Sequence, residues 1–493
     1  MGKDKSITNR FYWFYLFFTI LTLALLFYLT ISNKTDVRGV ESNVVHSIQL
    51  ILTGNHNLYQ SPTALPFNIT QYSPIYYMLS DGILTLLKAE SADYFFIRVI
   101  TRVISMVILL TTALLIYLFF RNKIEIPAKD SLILSILFIL ITFPWFSVSR
   151  PDVLVALVII AVIYLNYSYI QQKRLRYPFF TGALLFIGLA TKLNAAIFVV
   201  IIGIFYLFIK DWKAVFLSLT GFLITLISIV FIMKIGGYNL TYIKENIIDG
   251  IENGYSFEAA VRKTYSDFFS YFGSFFIAII LLVIYKFKYL TTHINHRLFN
   301  FLLFTGIVLL CYSFITGLKV GSAHNYFNEF LLLLILLTGY LMKYAYEQYH
   351  LLFRNGLMVY SLSVAIIFTF YYCLEYHDQH TLLKNNEINV NLVRSYLKGN
   401  LDNKYFFSTD REISLSFPDK CILFPLDIHN LTFKQDTYNY DPLKKALRDG
   451  TVKYFISRGW PNVFFGVKIN EYYSLSEKYG PYLIYQSKNF FRF

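Results

Sequence analysis

The chemistry this chain can do starts from a few ionisable residues, each placed at the end of an apolar run. Asp36 and Glu41 stand in TDVRGVES, just past the first run, and Arg98 and Arg102 open the second. Arg150 and Asp152 share SRPDV, at the turn between the third and fourth runs. Lys192 lies in GLATKLN, where two short runs meet, and Asn325, Tyr326 and Glu329 lie in GSAHNYFNEF, opening the tenth. Charges at membrane depth are costly, so they face one another or a wet cavity. Such a cavity would offer the carboxylates of Asp36, Glu41, Asp152 and Glu329 beside the cations of Arg102, Arg150 and Lys192. A carboxylate can take the proton of an attacking hydroxyl. Cations can hold a phosphate and stabilise the charge it gains on leaving. A phosphate leaving group needs little general acid. This set fits glycosyl transfer from a lipid-linked phosphosugar to a hydroxyl. A single displacement inverts the anomeric centre and needs one base.

Each residue also has a plainer explanation. Arg98 and Arg102 would snorkel to an interface with no further role. Asp152, after Pro151, suits the positive end of a helix macrodipole. Glu329 would cap its first helical turn, and Asp36 and Glu41 would be loop charges. Lys192, in an otherwise apolar stretch, is the hardest to explain by structure alone. His46, His56 and His324 lack metal-ligand spacing and read as structural. The sequence holds no Walker A, GxGxxG or HExxH pattern, so neither a metal nor a cofactor is expected.

The elements that must position these residues are membrane helices. Of the 493 residues, 56% are hydrophobic and only 15% charged, with mean hydropathy +0.50. A soluble domain carries about 25% charge, which excludes a water-soluble globule, a coiled coil and a disordered chain. Forty-nine Phe and 41 Tyr suit many helices with aromatic interface belts. Three cysteines make no disulfide framework. A bilayer core needs about 20 apolar residues per helix. Eleven spans are expected, at 11–31, 98–120, 131–148, 152–170, 178–191, 194–209, 214–233, 271–285, 298–317, 326–342 and 356–374. The first is long and has no cleavage site behind it, so it reads as a retained span rather than a signal peptide. Segment 75–88 is short and carries Asp81, which makes it a helix near the outer surface.

The net charge of +14 reads as loop asymmetry rather than as nucleic-acid binding. With the N-terminus in the cytoplasm, the cytoplasmic ends hold 16 Lys and Arg against 5 Asp and Glu. The outer segments up to residue 374 hold 12 against 12, and residues 375–493 hold 16 against 13. Eleven spans then place the C-terminus outside. The tail alternates in KYFFST, KCILFP, VKYFISR and PYLIYQS, with helix-like NVNLVRSYLKG and DPLKKALRDG between them. The last of these opens at an expected Asp441 cap. A membrane module over 1–374, with its first outer loop at 32–97, and a small α/β domain over 375–493 outside the membrane are expected.

Along residues 1–345 the pattern resembles the GT-C superfamily of polyprenyl-phosphate-sugar-dependent membrane glycosyltransferases. The similarity is to its bacterial protein mannosyltransferase-like and aminoarabinose transferase-like branch. The carrying features are an acidic residue after the first span (Asp36 or Glu41), a helix ending in Gly54 with Leu58-Tyr59 behind it, and YSPIYY with Tyr72 and Pro74. They continue with Arg102 and Ser105 in RVIS, Arg150-Pro-Asp152, Lys192 in ATK, and Glu329 in NYFNE. Many relatives have adjacent Asp-Glu in the first outer loop; here Asp36 and Glu41 are separated. Measured back from Gly54, Glu41 sits closer to the expected register and is favoured as base over Asp36. The resemblance implies an α-helical polytopic fold with catalytic residues among Glu41, Asp36 and Asp152. It implies phosphate contacts from Lys192, Arg102 and Arg150, and substrate contacts from Tyr59, Tyr72, Asn325, Tyr326 and Glu329. The donor would be a polyprenyl-phosphate sugar and the acceptor a lipid, glycan or protein. The place would be the bilayer of a bacterial cytoplasmic membrane, with the C-terminal domain periplasmic or extracellular. The outer domain would help bind the acceptor. The competing functions are a transporter or flippase of a lipid-linked glycan, and a lipid-diphosphate-dependent polymerase or ligase. The long outer loop and the lack of paired halves speak against transport.

Overall fold

The computed structural model describes residues 2–36, 39–55, 58–293, 296–344, 350–459 and 462–489. His56 and positions 345–349 of the expected cytoplasmic loop 343–355 lie outside the described residues. Among the described residues, nine helices are long and apolar enough to cross a membrane. They are Asn9–Ser32, Tyr94–Ile124, Ala128–Phe146, Asp152–Gln172, Trp212–Ile235, Phe257–Tyr285, Leu298–Gly317, His324–Lys343 and Leu351–Leu382. Two shorter apolar helices, Arg176–Leu189 and Leu193–Phe208, lie where the other two spans, 178–191 and 194–209, are expected. The helix is the only open-ended element whose backbone groups all pair internally in lipid. Segment 75–88 forms the helix Pro74–Leu86, with Tyr76, Tyr77 and Leu84 buried and Leu79, Leu86 and Leu87 exposed.

Two ends differ from expectation. The helix Phe257–Tyr285 starts well before 271, because its first turns are polar and include a wide π-type turn at Ala260–Tyr265. The last spanning helix does not stop near residue 374 but continues to Asn400, since no Pro or Gly interrupts 375–398. NVNLVRSYLKG is the end of that helix rather than a separate piece.

The chain divides into two compact units. The first comprises Met1–Ile31, Val103–Val230 and Tyr255–Leu374. Its centre is the His324–Lys343 helix, 94% buried, and its rim is Trp212–Ile235, 6% buried. Glycines set how closely its helices approach. A Cβ on Gly182 would stand 1.7 Å from the Ser218 carbonyl oxygen, and one on Gly221 would stand 2.0 Å from that of Phe179. Such small-residue contacts bind helices where lipid supplies no hydrophobic drive.

The second unit comprises Ser32–Arg102, Phe231–Gly254 and Glu375–Phe493. It contains a four-stranded sheet in the order β1-β2-β6-β5. The strands are β1 (Tyr405–Ser408), β2 (Val452–Ser457), β5 (Tyr473–Tyr479) and β6 (Tyr482–Ser487); β3 (Val463–Phe464) and β4 (Val467–Lys468) form a separate hairpin. β1 and β2 are parallel, so a crossover must join them, and helices Arg411–Leu415, Leu426–Lys434 and Asp441–Arg448 supply it. One sheet face, with Phe406, Tyr454, Ile456 and Ile484, packs on Val390, Val393 and Leu397 of the long helix. The other face, with Phe407, Phe455 and Tyr485, packs with Leu443, Leu447 and Tyr440. Phe67 and Ile69 of the first outer loop enter that same core. The loop is tied in by backbone bonds from Leu423 N–H to the Pro66 carbonyl and from Ile69 N–H to that of Phe424, each 2.9 Å. KCILFP, expected to alternate as a strand, makes a single bridge, Phe406 to Cys421, before turning away. Asp441 sits inside the first turn of its helix, and Tyr440 takes the cap position.

Candidate active-site residues

In the first unit, the turn SRPDV and the break at Lys192 converge on one carboxylate. Asp152 begins its helix and is 1% exposed. Its Oδ1 accepts from Lys192 Nζ at 2.7 Å and from Asn325 Nδ2 at 3.2 Å, and its Oδ2 from Arg150 Nε at 3.3 Å. The chain leaves the helix after Leu189, and Lys192 is extended (φ −158°, ψ 135°) before the next short helix begins. That break lets a lysine reach inward in the middle of apolar sequence. The Arg150 guanidinium lies 4.8 Å over the Trp145 ring, and Lys192 Nζ lies 5.6 Å from the Tyr326 ring centre. Glu329, 9% exposed, is within electrostatic reach of Lys192, Asp152 and Arg150. His324 accepts from Trp145 Nε1 at 2.7 Å and supports this wall, as a structural histidine would. Five of the expected site residues (Arg150, Asp152, Lys192, Asn325 and Tyr326) thus meet in one place, with Glu329 beside them. Two cations, oriented by one shared carboxylate, make a ready anion site.

In the second unit, Glu41 and Asp36 take different tasks at one helix start. Glu41 opens the helix Glu41–Leu50 and is wholly buried. Arg102, also wholly buried, grips it with two bonds: Nε to Oε1 at 2.8 Å and Nη2 to Oε2 at 2.6 Å. The same guanidinium donates to the carbonyls of Asn33 and Thr35, the latter at 2.6 Å, and so fixes the chain leading to Asp36. Asp36 accepts the backbone N–H groups of Glu41 at 3.3 Å and Ser42 at 3.0 Å. It also meets Arg411 Nη1 at 3.3 Å, where the arginine side chain is 40% exposed. Arg98, buried, donates to the Lys34 carbonyl and to Glu412 at 3.2 Å.

Tyr59 is fully buried, and its hydroxyl donates to the Tyr72 carbonyl at 3.0 Å. Burial pushes the Tyr59 phenol well above its ordinary range. It fastens the loop, and Tyr72 beside it is half-buried. Sequence reasoning missed Arg411 and Glu412, which hold Asp36 and Arg98 from the C-terminal third, and Trp145, which supports Arg150. No spacing signal links such distant partners. Among the described residues, no group of three or more His, Cys, Asp or Glu is placed to hold a metal.

No protein-family model matches this sequence, and no curated protein matches it. Solved structures do. ArnT from Cupriavidus metallidurans bound to undecaprenyl phosphate aligns with a TM-score of 0.62 at 10% identity, over 95% of this chain and 97% of that one. Its apo state aligns with a TM-score of 0.63 at 11% identity, over 96% and 98%. An oligosaccharyltransferase from Archaeoglobus fulgidus, in complex with zinc and sulfate, aligns less closely, with a TM-score of 0.42 at 14% identity over 89% and 67%. The chain has an ArnT-like fold: a multi-pass arrangement of apolar helices with a small C-terminal sheet domain.

Proposed function

We propose that this chain is a membrane glycosyltransferase. It moves a sugar from a polyprenyl-phosphate-linked donor to an acceptor hydroxyl at the outer face of a bacterial cytoplasmic membrane, with inversion. The carrying observation is the Lys192–Asp152–Arg150 cluster in a chain whose fold matches, end to end, an ArnT seen with undecaprenyl phosphate bound. Lys192 and Arg150 hold the donor phosphate and stabilise the charge it gains on leaving. Asp152 accepts from three donors, two of them cations, and so orders Lys192 and Arg150. Asn325, bonded to Asp152, and Tyr326, beside Lys192, complete that cluster, and the Glu329 carboxyl stands within its field.

The base comes from the first outer loop, and the geometry favours Asp36 over Glu41. Both Glu41 oxygens are held by Arg102 where neither partner meets water. Breaking such a buried pair costs about 3–5 kcal/mol. Glu41 with Arg102 is therefore a positioning pair, whereas Asp36, itself 8% exposed, pairs with an arginine that is 40% exposed and holds it at 3.3 Å rather than 2.6 Å. The test uses the full chain in detergent with a synthetic polyprenyl-phosphate sugar, monophosphate and diphosphate donors side by side. Release of polyprenyl phosphate with the sugar transferred or hydrolysed is expected. Donor that stays intact across a broad acceptor panel defeats the transferase reading, and turnover of the diphosphate alone moves it to the polymerase or ligase class.

A further inference from the structure

The second unit contains a cavity of about 260 Å³ that the phosphate chemistry does not use. Lys34, Thr35 and Tyr94 form one wall, and the long helix another, with Gln379, Leu382, Asn386, Glu387 and Arg394. The sheet domain closes it with Asp410, Glu412, Arg458 and Tyr482. Its charges balance: Lys34, Arg394 and Arg458 face Asp410, Glu412 and Glu387. An ion of either sign gains little from such a site.

The polar groups are fixed in place. Asp410 caps the Arg411–Leu415 helix by accepting from the amides of Glu412 and Ile413. It also takes Arg458 at 2.6 Å and the Tyr482 hydroxyl at 2.8 Å. Arg394 donates to the Tyr94 hydroxyl at 2.6 Å, and its Nε is buried with no hydrogen-bond partner. Leu382 is 62% exposed at the mouth, and Val390 and the two tyrosine rings give apolar surface. Donors and acceptors of both kinds, several of them held in place, set around an apolar wall, match a ring carrying several hydroxyls. Each hydroxyl both donates and accepts, and the ring's C–H face is apolar. The volume fits one or two such rings. The wall residues Lys34 and Thr35 directly precede Asp36, and Arg102 pins Thr35.

We propose that this cavity binds a neutral sugar of the acceptor and so makes the acceptor a saccharide or saccharide-bearing molecule. This rests on the glycosyltransferase reading, with Asp36 as base. It is tested on the full chain in detergent by saturation-transfer NMR and calorimetry. The probes are methyl glucoside and N-acetylglucosamine, with glucuronate, glucosamine and glycine as anionic, cationic and zwitterionic comparisons. Neutral sugars should bind best. Leu382→Trp, on the exposed rim, should block the mouth, and Asn386→Ala should remove one or two hydrogen bonds; each should weaken binding about tenfold. Both variants should hydrolyse a polyprenyl-phosphate sugar in water as the parent does. Preference for a charged or zwitterionic probe, no binding, or equal binding by Leu382→Trp overturns the assignment. If donor hydrolysis persists when sugar binding fails, the transferase reading survives alone. If sugars bind but no donor is turned over, the transferase reading is the one that falls.

Discussion

Lysine 192 is the residue on which the phosphate argument turns. It is bonded to Asp152 at 2.7 Å and buried, and it lies in a break between two helices. Lys192→Ala should lower transfer by about 10²–10³, the loss of one charge-assisted contact in a low-dielectric site, with the protein still folded. Steady-state turnover on protein that keeps its thermal transition checks this, and near-normal turnover removes Lys192 from the site. The two first-loop carboxylates should separate by kind of damage. Asp36→Asn keeps shape but removes a proton acceptor, so the chemical rate should fall about 10²–10⁴ with donor binding retained. Glu41→Gln leaves Arg102 buried without its counter-charge. It should cost stability by about 3–5 kcal/mol, seen as a lower unfolding midpoint. A stable but inactive Glu41→Gln beside an active Asp36→Asn returns the base to Glu41. The register count back from Gly54 could not distinguish these roles. The proposal of Asp36 as base rests instead on Arg102, 61 residues away from Glu41, and Arg411, 375 residues away from Asp36.

Elements carry two further expectations. Helices Arg176–Leu189 and Trp212–Ile235 cross through Gly182 and Gly221, where the facing carbonyls leave no room for a side chain. Gly182→Leu should force them apart and cost several times the roughly 1–3 kcal/mol of ordinary overpacking, read as loss of folded protein in detergent. In the second unit, His46 on the Glu41–Leu50 helix and His429 on Leu426–Lys434 are buried, and desolvation lowers both to about 3. In the unfolded chain they titrate near 6.5. Between those values the unfolded state binds more protons, so the stability gained from keeping them neutral is lost as pH falls from about 6.5 toward 3. The slope approaches about 1.4 kcal/mol per pH unit for each histidine. Hydrogen exchange of β2 and β6 amides against pH measures it, and His46→Gln with His429→Gln should flatten the profile. The spans were legible because about twenty apolar residues admit one structure in lipid. Strands β1, β2 and β6 were legible from their alternation. β5 was not, because five of its seven residues face solvent and leave no apolar period. The early start at Phe257 and the run to Asn400 escaped notice because polar helices lack the hydropathy that marks a span.

At the scale of the whole chain, the charge of the loops and the count of helices must agree on sidedness. Among the described residues, eleven apolar helices, nine long and two short, put the two chain ends on opposite sides of a bilayer if each crosses once. The helix Pro74–Leu86 is decisive here. At thirteen residues it rises about 20 Å, much like the fourteen-residue Arg176–Leu189, so the charge of the loops and not length separates the two. Were it to cross, RNKIEIPAK and QQKRLR would move outside, and the bias of 16 basic against 5 acidic residues would fade. Cations in short loops stay cytoplasmic, so the N-terminus and Arg174 are expected inside and Asn400 outside. Single cysteines at these two positions test it, as Arg174→Cys and Asn400→Cys, in a chain whose exposed Cys311 and Cys373 are replaced. Cys421 can stay, being buried in the sheet domain. In intact cells a membrane-impermeant maleimide should label Asn400→Cys at once and Arg174→Cys only after permeabilisation. Labelling of both from one side breaks the helix count. The reverse pattern keeps the count but inverts the protein, placing the Lys192 cluster at the cytoplasmic face and ending the proposal of transfer on the outer one.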